Sequence, residues 1–191
     1  MKALLTILFI SFISRQGNEI SMHGIKINSS KSVLQKVDLK IDVSDENMTK
    51  YKTTNGNDLS VTTENGKGVY LENDWLHEKQ GEKPLISNFI FGKTSLREIR
   101  KEFGTNGFTY PGRNDLITDT DIIEFNCFDL DSPNKEVIVM ITKAHLKENL
   151  SEANLADHLK LEAIVLANKK YLNEIWGNKK VFDPKYKKIK L

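Results

Sequence analysis

Cysteine is almost absent from this 191-residue chain, because Cys127 is its only one. A single thiol can neither close an intrachain disulfide nor assemble a cysteine-based zinc site. The four histidines, His23, His77, His145 and His158, lack the short spacing of metal-binding motifs. We therefore expect a fold that is stabilised by packing, with no metal and no cofactor.

An excess of charge of one sign is missing as well, since 28 basic and 26 acidic side chains leave a formal net charge of +2. This balance gives no field that attracts polyanions, so we do not expect nucleic acid as a partner. The exception is the end of the chain, where six lysines face only Asp183. We interpret residues 177–191 as a basic, solvated tail, and the alternative is contact with an anionic membrane surface.

No apolar run reaches the roughly 20 residues that a membrane-spanning helix requires. The apolar run at residues 3–13 follows a short positive start, which is typical of a secretory signal. We predict a signal peptide over residues 1–14 and an exported protein, periplasmic or secreted. The cleavage position is undecided, because Phe12 is bulky where a small residue is usual. The alternative is a buried N-terminal element of a cytosolic protein.

Composition indicates an ordinary globular protein, with 39% hydrophobic and 28% charged residues. A chain of this length buries roughly two-thirds of its unfolded surface, which is enough for a packed core. We predict a single α+β domain over residues 22–191. It divides into sub-units 22–79 and 85–176, followed by the basic tail.

Turn signals predict antiparallel strands in two places. Asn-Gly pairs at Asn55-Gly56 and Asn65-Gly66 supply the positive φ that tight hairpins require, so residues 51–71 are predicted to form a meander. Two further strands, 122–130 and 136–142, are separated by a turn that contains proline and asparagine.

Capping patterns predict two short helices. Ser32 with Gln35, and Ser95 with Glu98, have the spacing of a capping box, in which each side chain bonds the other residue's backbone N–H. The second helix has an apolar face and ends at Gly104, a residue type that favours helix C-termini. We expect both helices to precede strands.

Residues 151–176 are ambiguous. Their leucines and aromatic residues can share one helical face, which favours a helix. The run at 161–166, apolar apart from Glu162, is equally typical of a short buried strand, because periodicity cannot assign such a run. The similarity between 69–76 and 165–172 supports the strand, but we predict the helix.

Candidates for catalytic chemistry are few. Cys127 could form a nucleophile with His145 or His158, but it alternates with apolar residues in a predicted strand, which indicates a buried core position. The aspartate-rich stretch 115–131 lacks the glycine and glutamate positions of an EF-hand loop. No catalytic constellation emerges, so we favour a protein that is not an enzyme.

Three aromatic residues, Trp75, Tyr110 and Trp176, are candidate partner-binding residues, because aromatic side chains carry much of the energy at interface hot spots. The alternative is that they belong to the core, since aromatic residues contribute large buried areas in small domains.

The segment from Phe91-Gly92-Lys93-Thr94-Ser95-Leu96 to Phe103-Gly104, with a weaker copy at 27–37, resembles the tandem units of the β-lactamase-inhibitor-protein-like and outer-membrane-assembly small-lipoprotein families. The resemblance implies an antiparallel sheet with short capped helices, built from a duplicated helix-then-meander unit. It also implies a non-catalytic exported protein that binds another protein, of the inhibitor, immunity or envelope-assembly accessory type. Two alternatives stay open, namely an envelope hydrolase that uses carboxylates such as Asp119, Asp121 or Glu124, and a peripheral membrane-surface protein.

Overall fold

A computed structural model describes residues 20–77, 83–113 and 115–190. These residues form four short helices and ten strands. In chain order the elements are α1 (Lys31–Leu34), β1 (Lys40–Ser44), β2 (Met48–Lys52), β3 (Asp58–Glu64), β4 (Lys67–Asp74), α2 (Leu96–Phe103), β5 (Phe108–Thr109), β6 (Asp115–Ile117), β7 (Asp121–Asp129), β8 (Glu136–His145), α3 (Leu155–His158), β9 (Lys160–Asn168), α4 (Lys169–Trp176) and β10 (Val181–Phe182). The predicted α+β class is confirmed, as a mostly antiparallel sheet with few helices. The predicted signal peptide lies outside the described residues.

A single antiparallel sheet contains all of these strands, in the order β1-β2-β3-β4-β9-β8-β7-β5-β10, with β6 also paired to β7. Two meanders, β1–β4 and β7–β9, are joined where β4 pairs with β9. Tyr70 lies opposite Ala167 and Leu71 opposite Leu166, so the two similar segments of the sequence are neighbours in the sheet. Within the described residues, no helix is long and apolar enough to cross a membrane.

The local signals of the first meander and of α2 are confirmed. Asn65 and Gly66 have φ of 50° and 71° and connect β3 to β4. At the start of α2, the Ser95 backbone N–H donates to Glu98 Oε2 at 2.7 Å, and the Glu98 backbone N–H donates to Ser95 Oγ at 3.3 Å. Gly104 ends the helix in the left-handed conformation. These signals depend only on residues close in sequence.

The capping box predicted at Ser32 and Gln35 is wrong. The N-cap of helix α1 is Ser30, two residues earlier than predicted, and the helix has no side-chain cap. The Ser32 hydroxyl instead shares a 2.8 Å hydrogen bond with Ser30 Oγ. With four residues α1 is a single turn, and its position depends on the burial of Leu34.

The helix predicted over 151–176 is also wrong, and the strand alternative is confirmed. The segment forms α3, β9 and α4, so two short helices flank a central strand. Both neighbours of β9 pair with it, and residues 163–167 are buried on both faces of the sheet. A strand buried on both faces is apolar throughout, so the alternation of period two that would identify it is absent.

The interpretation of 177–191 as a solvated tail needs correction. Strand β10 pairs with β5, and Ile189 is only 4% exposed. The side chains of Lys185, Lys188 and Lys190 do extend into solvent. The backbone of this segment is thus part of the fold, because Ile189 packs into the core. Contact with a membrane surface stays a prediction.

Each face of the sheet carries its own core. On the α2 face, apolar side chains of the strands pack against residues 20–37, α2 and Ile189; the strand residues include Leu71, Phe128, Ile138 and Leu166. On the α4 face, Cys127, Val139 and Val165 pack against α4 and β5. On the α4 face, the packed core lies mainly over β7–β9. The side chains that β2, β3 and β4 place on this face are therefore mostly polar.

Candidate functional site

The structure separates the three predicted partner-binding aromatic residues. Trp75 is half-buried and stacks on Phe91 on the α2 side, with ring centroids 6.3 Å apart. Tyr110 has no exposed surface, and its hydroxyl donates to Asn173 Oδ1 at 2.9 Å. Trp176 is half-buried on the α4 face, edge-on to Tyr110 at 5.5 Å. Tyr110 is therefore a core residue here, while partner binding by Trp75 and Trp176 stays a prediction.

Cys127 is buried in β7, as its alternating neighbours predict. Burial raises the pKa of its thiol far above the ordinary value, which disfavours the thiolate that a nucleophile requires. The two histidines that were candidates for the base are paired elsewhere, His145 with Asp121 and His158 with Glu148.

The acidic residues named for a hydrolase do not share a cleft. Asp119 is exposed in a turn, and Asp121 contacts His145. Glu124 is three residues beyond Asp121 in the same strand, so its side chain is on the opposite face of the sheet. In the part of the chain that the structure describes, no three acidic, histidine or cysteine side chains are placed to hold a metal ion.

A different group of functional side chains meets at the edge of the α4-face core. Tyr70, Glu72 and Asp74 alternate along β4 and point to the α4 face. Arg113 reaches the same region from the loop after β5, with its guanidinium 4.5 Å from the ring centroid of Phe125 and 5.9 Å from that of Trp176. We name Tyr70, Glu72, Asp74, Arg113 and Trp176 the β4 patch. All five keep some exposed surface.

The two carboxyl groups of the β4 patch are poorly compensated. Burial, reinforced by the charge of Glu72, raises the pKa of Asp74 to about 7. Burial also raises the pKa of Glu72, although Tyr70 donates a 3.1 Å hydrogen bond to it and the charge of Arg113 opposes the shift. A carboxyl group that titrates near neutral pH responds to any cation brought next to it.

Nearby lysines do not neutralise these carboxyl groups, because they are bound to another one. Asp58 is 3% exposed, and its carboxylate lies 2.5 Å from Lys50 Nζ and 2.6 Å from Lys52 Nζ. Burial raises the pKa of Asp58, but the hydrogen bonds from both lysines outweigh burial and the net shift is downward. Asp58 lies opposite Asp74 in the sheet register. Lys50 and Lys52 bind the Asp58 carboxylate and not the Asp74 carboxylate.

Asp74→Asn is expected to stabilise the protein at pH 8 by about 2 kcal/mol, after a discount for solvent screening. The folded pKa of Asp74 lies above the unfolded value, so its contribution to stability is full below the unfolded pKa and is lost as pH rises through about 7. The gain should therefore be larger at pH 8 than at pH 5 in urea denaturation. Asp119→Asn, at an exposed turn, is the control and should change little. An equal gain from Asp74→Asn at both pH values would contradict the assignment.

Sequence reasoning missed Glu72, Asp74 and Arg113. The alternation in β4 indicates only that Glu72 and Asp74 share a face. That this face is partly buried follows from the pairing of β4 with β9, which lies about 90 residues further along the chain. Arg113 sits in a turn and carries no local signal at all.

Comparison with protein-family models, with curated proteins and with solved structures finds no match to this chain. The class that the structure itself defines is an α+β protein in which two antiparallel meanders form one sheet, with a mixed aromatic and charged patch beside the core of one face.

Proposed function

We propose that the chain is a non-catalytic protein-binding module whose partner places a lysine or arginine side chain against Glu72 and Asp74. The observation that carries the proposal is the pair of partly exposed carboxyl groups on one face of β4, which form no ion pair with any described residue and whose pKa values burial raises. A cation from a partner would stabilise their ionised forms and form charge-assisted hydrogen bonds.

The residue types around the two carboxyl groups support an interface. Tryptophan, tyrosine and arginine dominate interface hot spots, and the β4 patch contains one of each, Trp176, Tyr70 and Arg113. The guanidinium of Arg113 lies over aromatic rings, which holds a long side chain in place before a partner binds. A preorganised patch loses less conformational entropy on binding.

At the level of the fold we propose a duplicated helix-then-meander unit. Helix α1 precedes the meander β1–β4, and α2 precedes the strands that end in β7–β9, which supports the duplication. With the apolar N-terminal run in the sequence, this arrangement supports an exported protein of the inhibitor, immunity or envelope-assembly accessory type.

The test is affinity capture from an envelope extract with residues 22–191, comparing the wild type with the double variant Glu72→Gln, Asp74→Asn. The expected result is one stoichiometric partner whose affinity falls about tenfold or more in the double variant. Binding of that partner should also be stronger at pH 8 than at pH 6, because Asp74 is mostly protonated at pH 6 and mostly ionised at pH 8.

The matched control is Glu148→Gln with Asp157→Asn, which removes two exposed carboxylates outside the patch. A partner retained by the patch variant and lost by the control would place the interface elsewhere. Capture of nothing by the wild type would contradict the proposal.

A further inference from the structure

A positively charged cavity lies at the end of α2, on the face of the sheet opposite to the β4 patch. An open cavity of about 340 Å³ is lined there by four basic side chains together with Thr105 and Asn106; the basic residues are Arg97, Arg100, Lys101 and Lys185. Lys187 Nζ lies beside Gly104 at the rim, so a fifth cation is close. The volume falls in the lower range of small-molecule sites.

Arg100 is half-buried, whereas Arg97, Lys101 and Lys185 are exposed. One of its terminal nitrogens donates to Asn126 Oδ1 at 2.7 Å, and Asn126 is itself 1% exposed. The Nε of Arg100 is buried and has no hydrogen-bond partner among the described residues. Burial lowers the pKa of Arg100, although the charges of Glu124 and Asp183 oppose the shift. A buried donor left without a partner is costly unless something else accepts its hydrogen bond.

The other cations differ in how far they are already engaged. Arg97 pairs with Asp157 and donates to the Ala153 carbonyl at 2.9 Å, so its charge is largely used. Lys101 and Lys185 are exposed and form no ion pair with any residue in the described ranges. Their two ammonium groups are therefore free to meet an incoming anion.

Carboxylates near the cavity are occupied by other groups. Asp183 accepts from the Lys185 backbone N–H at 2.8 Å and from Asn106 Nδ2 at 3.0 Å. Glu124 accepts from Asn126 Nδ2 at 3.3 Å. With Lys187, five cations meet three carboxylates there, those of Asp157, Asp183 and Glu124, so positive charge at the cavity exceeds the negative charge that faces it.

We propose that this cavity binds a small phosphate-bearing anion, held by the guanidinium of Arg100 and by the ammonium groups of Lys101 and Lys185. Arginine matches the geometry of phosphate oxygens, and lysine adds point charge without strict geometry. Several converging cations favour a divalent group over a single carboxylate. The site is separate from the β4 patch and does not depend on the proposed protein partner.

The experiment is calorimetric titration of the full chain with glycerol 3-phosphate, inorganic phosphate and acetate. Wild-type protein should bind both phosphates saturably below about 10 mM and acetate at least about tenfold more weakly. Vesicles containing phosphatidic acid, whose headgroup is a phosphate monoester like that of glycerol 3-phosphate, form a separate arm. Tighter binding to vesicles than to glycerol 3-phosphate identifies a lipid headgroup as the source, and the reverse identifies a free phosphate ester.

Three variants separate the site from general attraction to a basic surface. Lys101→Gln with Lys185→Gln should weaken phosphate binding about tenfold or more, whereas Lys179→Gln with Lys188→Gln, outside the cavity lining, should change it less than about twofold. Arg100→Lys keeps the charge and should also weaken binding, with thermal unfolding confirming that the variant folds. Absence of saturable binding, or an equal loss in both lysine pairs, would overturn the proposal.

Discussion

Deletion of residues 178–191 is expected to lower the free energy of unfolding by about 4 kcal/mol or more, since removal of one buried isoleucine side chain alone costs roughly 2–5 kcal/mol. Ile189 is 4% exposed and belongs to the core of the α2 face. Its backbone N–H donates to the Asp129 carbonyl and its carbonyl accepts from the Asp131 N–H, both at 2.9 Å. Loss of the segment would therefore open the core and leave backbone groups at the end of β7 without partners.

A second contribution to the loss of stability comes from Asp129, a residue that is 2% exposed. It accepts a 2.5 Å hydrogen bond from the Tyr186 hydroxyl and pairs with Lys169 Nζ at 2.6 Å. Deletion removes Tyr186, and a buried acceptor that loses a partner costs about 1–3 kcal/mol. Lys169 remains in the truncated chain, so this carboxylate keeps one cation.

Urea denaturation of the truncated and full chains measures the difference. Lys179→Gln and Lys188→Gln are the controls, because both side chains are exposed and should change stability by less than about 0.5 kcal/mol. A truncated protein as stable as the full chain would restore the interpretation of this segment as a solvated tail.

Gly107→Ala is expected to destabilise the protein by about 3 kcal/mol or more, from the left-handed backbone together with overpacking. Gly107 has φ of +73°, and a Cβ there would lie 2.2 Å from the Cys127 carbonyl oxygen and 3.0 Å from the Phe128 ring. The oxygen belongs to the backbone of a central strand, so it cannot move without disturbing the pairing of β5 with β7.

Gly112→Ala is the matched control, since a Cβ at Gly112 meets nothing within 4 Å. Its expected effect is within about 0.5 kcal/mol. Thermal unfolding of the two variants gives the comparison directly. Equal stability of the two would mean that β5 does not approach β7 as closely as the structure shows.

Elements whose signals are local could be predicted from the sequence. The capping box of Ser95 and Glu98 and the turn at Asn65-Gly66 form from residues within four positions of each other. The wrong prediction at Ser32 also concerns a local signal. The Ser32 hydroxyl forms a hydrogen bond with the neighbouring Ser30 hydroxyl instead of capping the helix. β1, which is exposed along its length, has no burial pattern and was not predicted.

Elements that depend on contacts with distant parts of the sequence could not be predicted in the same way. Residues 163–167 are apolar and buried because β4 and β8 flank them and both faces are covered, and this surrounding is absent from the local sequence. The β4 patch has the same origin. Glu72 and Asp74 have raised pKa values because of burial, and burial is a property of the assembled sheet.

By itself the sequence determined the capped helix α2, the hairpin turns, the buried position of Cys127 and the absence of a disulfide, because each depends on residue type and near neighbours. Only the tertiary structure decided that β4 meets β9, that the end of the chain packs into the core, and that Arg113 approaches Glu72. Contacts between residues distant in sequence depend on which surfaces can be buried together, and the pattern within one segment does not specify its partner.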